Sequence, residues 1–229
     1  MPSFHRQPTE IPSTDAAIPT GAWRLFRSIL PIGPKFSDAL LHFARQWGEP
    51  IPARRGGDVV DILRPHDRSE ARPHTLSSTY GLNAFPFHND TVHWTTPSRY
   101  LCLACVDPGK GRRTTSLVSL APILALNGLA DQIGEGVFLI RSGRHSFYSS
   151  IASRGRPWLR YDPGCMMPTS SRALDSWGQM QNVIESRSPV QIQWQEGDLL
   201  VLDNWTVLHR RGEAVQPDPT RRLARVLLK

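Results

Sequence analysis

Residues 85–90 read Phe-Pro-Phe-His-Asn-Asp, and residues 203–209 read Asp-Asn-Trp-Thr-Val-Leu-His. His88 and Asp90 stand two apart. On an extended strand, residues i and i+2 share a face, so an imidazole and a carboxylate project side by side. With His209 folded back beside them, two histidines and one carboxylate cap one face of an octahedral cation. The opposite face stays open for exchangeable ligands, the donor set of non-haem Fe(II) sites. H-x-D alone is a common pairing; its weight comes from its company. His93 falls on the other face of such a strand and reads as a pocket-wall or structural residue.

Two further stretches bear on that chemistry. Gly197-Asp198 followed by Leu199-Leu200-Val201-Leu202 and Asp203-Asn204 reads as a tight turn, a buried strand and a polar end just before His209. Asp203 and Asn204 are expected to brace that strand. Beyond His209 lies Arg221-Arg222-Leu223-Ala224-Arg225. On a strand Arg221, Leu223 and Arg225 share one face, so two guanidiniums enter the cavity that holds the metal. Buried arginines need anionic partners, and a guanidinium fork suits a carboxylate. Arg222 takes the role of Arg221 if the register slips by one, but the alternation favours Arg221. Thr114, after a glycine-rich loop, offers a hydroxyl to the same carboxylate.

The elements that must position these groups are mostly strands. Helical spacing of Phe36, Leu40, Phe43 and Trp47 predicts a helix over 35–48, stopped by Gly48 and Pro50; His42 within it is a surface or packing residue. A short strand is expected over 59–63, and strands from residue 77 onward through the H-x-D, then over 99–106 and 114–120. Residues 121–133 read as a helix with Pro122 in its first turn, 136–141 and 144–149 as a hairpin, 158–162 as a strand, and 163–168 as a rigid turn. Residues 173–186 form an amphipathic helix carrying Leu174, Trp177, Met180, Val183 and Ile184, and the last third returns to β. Short strands, frequent turns and few helices point to a mainly β fold, a jelly roll (double-stranded β-helix) with flanking helices. Residues 1–20, rich in Pro, Ser and Thr, read as a mobile arm, and residues 21–229 as a single domain.

The chain has 229 residues, 39% hydrophobic and 21% charged, a globular composition without a run of the ~18–20 apolar residues needed to span a membrane. Its net charge is +7, but the arginines are dispersed, no aromatic-interleaved basic stripe occurs, and nucleic-acid binding is not expected. The N-terminus lacks the apolar core of a secretory signal. Three cysteines (Cys102, Cys105, Cys165) argue against a disulfide framework. Cys102 and Cys105 point to opposite faces of a strand and read as buried structural thiols. A reducing, cytoplasmic setting fits.

Taken together, H-x-D, G-D-x-L-x-x-D-N, His209 and R-x-L-x-R resemble the TauD/TfdA-like Fe(II)/2-oxoglutarate-dependent dioxygenases, in particular their clavaminate-synthase-like branch. The resemblance covers most of residues 36–229. It implies that His88, Asp90 and His209 ligate Fe(II). It further implies that Arg221 holds the distal carboxylate of 2-oxoglutarate with help from Thr114, and that Arg225 binds that carboxylate or an acidic group of the substrate. Arg160 and Tyr161 are candidates for the substrate side; read as structural, Arg160 would pair with Asp162 or Asp198. The implied reaction consumes O₂ and 2-oxoglutarate, releases succinate and CO₂, and oxidises a small amino-acid-like or natural-product substrate. Halogenating relatives carry a small residue where this chain has Asp90, so hydroxylation or desaturation is expected. The alternative is a non-catalytic jelly-roll protein that binds a metal or ligand. Neither the substrate nor the oligomeric state is legible.

Overall fold

The structure, a computed structural model, describes residues 23–72, 75–121, 128–141, 145–153, 155–216 and 218–229. The expected N-terminal arm lies outside these residues.

The longest strand explains the architecture. β4 (Tyr100–Asp107) is apolar at nearly every position because both of its faces are covered. It is flanked by β10 (Leu199–Asp203) and β12 (Arg222–Leu228), and the antiparallel sheet runs β1 (Trp23–Phe26), β10, β4, β12, β2 (Pro50–Ile51), with β3 (Asp61–Leu63) also on β12. One face is packed by α1 (Phe36–Ala44), whose Phe36, Leu40 and Phe43 meet Cys102, Ala104, Val201 and Val226. The other face sends Leu101, Leu103, Cys105, Leu200 and Leu202 against Leu117, Val207 and Trp194 of a second sheet. That sheet is ordered β11 (Val207–Arg211), β5 (Thr115–Ser119), β9 (Val190–Ile192). Cys102 and Cys105 thus lie in different layers, both fully buried and unpaired.

A third, smaller sheet, β7 (Phe147–Ser149), β6 (Phe138–Ile140), β8 (Met166–Pro168), packs with α4 (Ser171–Glu185) over the outer side of the second sheet. Ser170 caps α4 by accepting from the Ala173 amide, and its buried stripe is Ala173, Ser176, Met180 and Ile184. The stripe is rotated from the expected one, and Leu174 is exposed.

Local differences from expectation have identifiable causes. α1 ends at Ala44 because the chain tightens into three-residue turns, with the Gln46 amide donating to Phe43 O and the Trp47 amide to Ala44 O. Trp47 still stacks on Phe26 and Phe43. Gly48 admits no side chain, since a Cβ there would stand 2.1 Å from Lys229 O. Residues 76–80 are helical, not extended: Thr75 and Ser78 form a reciprocal capping box at the start of α2 (Leu76–Tyr80). Residues 158–162 are not a strand; the Leu159 amide bonds Trp205 O and the Arg160 amide Ile151 O, too few to make a ladder. The expected rigid turn of 163–168 ends in β8. Of the expected helix over 121–133, residues 122–127 lie outside the described residues and α3 (Leu129–Gly134) remains; of the hairpin, β6 and β7 pair as expected and 142–144 lie outside. No helix among the described residues is long and apolar enough to cross a membrane.

Candidate metal centre

β11 alternates its side chains between the two sides of its sheet. Val207 enters the layer shared with β4 and β10, whereas Leu208 joins the outer cluster. His209 and Arg211 therefore face inward with Val207. His88 reaches His209 by a single antiparallel bridge in which each amide donates to the other's carbonyl at 3.0 Å. Residues 85–90 are thus not the regular strand expected from H-x-D. The Asn89 amide leaves the bridge for Tyr161 O, and Asp90 is held by a side chain: its amide donates to Asn204 Oδ1 at 2.8 Å, and Asn204 Nδ2 donates back to Asp90 O at 3.0 Å. Thr91 follows at φ 59°, a strained conformation for a β-branched residue, and its hydroxyl accepts from the Ser98 amide at 2.8 Å. The bend aims Asp90 back toward the histidines. Asp203 accepts from the Thr206 hydroxyl at 2.9 Å, so the expected bracing by Asp203 and Asn204 is present, and Asn204 fixes the Asp90 backbone as well.

One donor atom from each of His88, Asp90 and His209 lies within 4.8 Å of the other two, and all three residues are buried. Asp90 Oδ1 is 3.9 Å from both His88 Nε2 and His209 Nε2. His88 Nδ1 stands 2.9 Å from Pro86 O, a carbonyl that can only accept, so Nδ1 donates there and Nε2 is turned toward Asp90. His209 Nδ1 is buried with no hydrogen-bond partner among the described residues. Burial, and then the neighbouring His88, push the His209 imidazole down to about 3, so it is neutral at ordinary pH. Burial alone would raise Asp90, but the charge of Arg225, the largest of the opposing effects, brings it down to about 2. The Nε2 atoms of His88 and His209 converging on an ionised carboxylate fit a divalent transition metal.

Arg221, just before β12, and Arg225 within it have different surroundings. Arg225 donates from Nη1 to Asp90 Oδ2 at 3.0 Å and from Nη2 to Asp61 Oδ2 at 2.6 Å, Asp61 lying directly opposite it in the β3–β12 register. The expectation that Arg225 binds 2-oxoglutarate or a substrate acid is corrected: two protein carboxylates already hold its guanidinium. Arg221 is 5% exposed, donates to Thr115 Oγ1 at 3.2 Å, and its Nε has no partner among the described residues. Burial, and then the charge of Arg113, lower it to about 10, leaving it a cation. Arg222 turns outward to Asp107 across a bulge, and Arg221 is the buried member of the pair. Thr114 is corrected too. Its hydroxyl donates to Gln191 on the exposed side, and Thr115, one residue on, is the hydroxyl beside Arg221.

The substrate-side expectations are not met. Arg160 is buried and donates to the carbonyls of Val92, Trp94 and Thr95, so it ties down the loop after Asp90; neither Asp162 nor Asp198 is its partner. Asp198 instead receives Arg27 at 2.7 Å. Tyr161 is a core residue stacked on Trp177 with ring centroids 4.6 Å apart, and burial raises its hydroxyl well above the usual range. His93 is exposed and lies outside the ligand cluster, as expected of a wall residue.

Comparison with known proteins bears on this arrangement. The model of the "Taurine catabolism dioxygenase TauD, TfdA family" matches residues 131–227, a stretch that contains His209, Arg221 and Arg225 but not His88 or Asp90. Among solved structures, an asparagine oxygenase in complex with Fe(II), 2S,3S-3-hydroxyasparagine and succinate superposes with TM-score 0.68 at 20% identity, over 90% of this chain and 73% of that one. A mutant of the non-haem iron oxygenase OrfP in complex with (3S)-hydroxy-L-Arg gives 0.66 at 21%, over 89% and 68%. OrfP with Fe and alpha-ketoglutaric acid gives 0.66 at 20%, over 86% and 66%. The chain shares the fold of these oxygenase structures. Comparison with curated proteins found no match. The stretch matched by the family model contains His209, Arg221 and Arg225, and the β-bridge from residues 85–90 brings His88 and Asp90 beside them.

Proposed function

We propose that this chain is an Fe(II)- and 2-oxoglutarate-dependent oxygenase that hydroxylates or desaturates a small amino-acid-like or natural-product substrate, with release of succinate and CO₂. The observation that carries the reading is the ligand geometry: Asp90 Oδ1 equidistant at 3.9 Å from two imidazole Nε2 atoms, with one tautomer preset by Pro86 O. In this reading His88, Asp90 and His209 hold Fe(II), and Arg221 with Thr115 holds the distal carboxylate of 2-oxoglutarate. Bound iron supplies a chelation site for the 2-oxo acid and the activation of O₂. The protein's own work is positional. Asn204 and the His88–His209 bridge fix the ligand backbones, and Arg225 keeps Asp90 ionised while occupying its second oxygen. Arg160 holds the 92–95 loop in place by three carbonyls.

The same reading places the site in one domain spanning 21–229 and the protein in a reducing, cytoplasmic setting, supported by three free cysteines, two of them fully buried. The test is anaerobic addition of Fe(II) and 2-oxoglutarate to the apo-protein. A weak visible band near ~500 nm is expected from a 2-oxo acid chelated to facial-triad iron, and its loss in His209→Ala. Iron binding without the band would replace this reading with a metal-binding jelly roll.

A further inference from the structure

Arg221 is not the only interior cation without a carboxylate. Arg113 is 3% exposed; it donates to Gly212 O at 2.8 Å and to Leu82 O, and its Nε has no partner among the described residues. Arg211 lies directly opposite Thr115 in the β11–β5 register, on the face that carries His209, and Thr115 is the residue that Arg221 touches. Arg211 donates to the carbonyls of Gly81 and Asn83 and lies over the Phe85 ring at 3.6 Å. Arg113 and Arg211 thus grip three successive carbonyls, 81 to 83, and the arginines are electrostatic neighbours, Arg211 of Arg113 and Arg221, and Arg221 of Arg113.

The nearby carboxylates do not neutralise this group. Asp218 accepts from the Gly111 and Thr220 amides and the Thr220 hydroxyl. Glu213 is exposed and is felt by Arg113 and Arg211 only at a distance. No ion pair within 4.0 Å joins any of the three arginines to a carboxylate among the described residues. Loop anchoring explains the hydrogen bonds. It does not explain three clustered guanidiniums, since neutral amides donate to carbonyls as well and avoid the cost of burying like charges.

We propose that Arg113 and Arg211 complete, with Arg221 and Thr115, an anion well that takes a dicarboxylate even in the metal-free protein, and that their charge rather than their hydrogen bonds sets its affinity. The inference rests on the 2-oxoglutarate reading above and adds two residues that act at a distance from the bound carboxylate. Interior charges several ångströms away still contribute strongly where water is excluded.

The test is calorimetric titration of EDTA-treated protein with glutarate, which has both carboxylates but no 2-oxo group and owes nothing to chelation. Wild type is expected to bind it. Arg211→Gln and Arg113→Gln keep a donor and lose the charge, and each should weaken binding on the order of tenfold. Arg211→Lys and Arg113→Lys keep the charge and should stay within about threefold of wild type. Equal losses in the Gln and Lys variants, or none in the Gln variants, overturn the proposal. Should these variants not fold, the exposed Glu213 provides the complementary change. Glu213→Gln removes the opposing charge and should tighten glutarate binding about threefold, and no change there overturns the proposal. Wild type that ignores glutarate yet shows the anaerobic iron band with 2-oxoglutarate overturns the metal-free well alone; absence of both removes the oxygenase reading as well.

Discussion

Arg221, just before β12, and Arg225 within it share one inward face, and the two ends of that face differ in what they do. At the Arg225 end the guanidinium bridges Asp61 and Asp90 at 2.6 and 3.0 Å, a charge-assisted clamp on one of the proposed metal ligands. At the Arg221 end the guanidinium is more deeply buried and, among the described residues, donates to the Thr115 hydroxyl rather than to a carboxylate. A buried charge that the fold has already paired positions a neighbour, whereas one left without a carboxylate is held for a ligand that brings its own. Residue type and strand alternation cannot make that distinction. What stands opposite each arginine makes it: Asp61 across the β3–β12 register for one, and the cluster with Arg113 and Arg211 for the other.

The largest expected effect lies at the metal, between the two ends. Asp90→Ala or His209→Ala should abolish stoichiometric Fe(II) binding by anaerobic titration; retained affinity would mean that the cluster is not the metal site. Next is the Arg160 clamp, which secures the loop after Asp90 by three carbonyls. Arg160→Met leaves those carbonyls unpaired and should lower stability by about 2–4 kcal/mol in urea unfolding, and an unchanged midpoint would contradict the structural role assigned to it. At the Arg225 end, Arg225→Gln removes the charge that holds Asp90 down to about 2 against the opposing effect of burial. The carboxyl pKa then rises, protons compete with the metal at higher pH, and the acid limit of Fe(II) binding should move to higher pH. A pH profile of iron binding identical to wild type would break the comparison from that side. The smallest effect separates neighbouring threonines: Thr115→Val should raise the KM for 2-oxoglutarate by about three- to tenfold, the worth of one hydrogen bond to a charged group, while Thr114→Val leaves it unchanged.

The jelly roll and the convergence of His88, Asp90 and His209 are legible because alternation, turn residues and the order H-x-D, His, Arg survive in a linear reading. Alternation alone favours Arg221 over Arg222, and past the bulge at Arg222/Leu223 Arg221 is buried while Arg222 turns outward. The misses share a cause. Thr114 and Thr115 lie in a strand with apolar residues on both faces, so no polar side marks which hydroxyl turns inward. Asp61 meets Arg225 only through long-range pairing of an edge strand. Arg160 and Tyr161 follow one another, as substrate-binding residues could, but one spends its donors on backbone carbonyls and the other is stacked in the outer core. Asn204 was expected to brace a strand; its exchange of hydrogen bonds with the Asp90 backbone required knowing which segment crosses behind it.

The most direct measurement is the half-saturation of the anaerobic iron band by 2-oxoglutarate, compared between Arg221→Gln and Arg225→Gln at a pH where both bind Fe(II). The account predicts at least about a tenfold rise for Arg221→Gln, the loss of a charge-assisted carboxylate contact, and less than about a threefold change for Arg225→Gln, whose partners are Asp61 and Asp90. Equal shifts, or the larger shift in Arg225→Gln, would contradict the division of labour along β12 and return Arg225 to the cosubstrate.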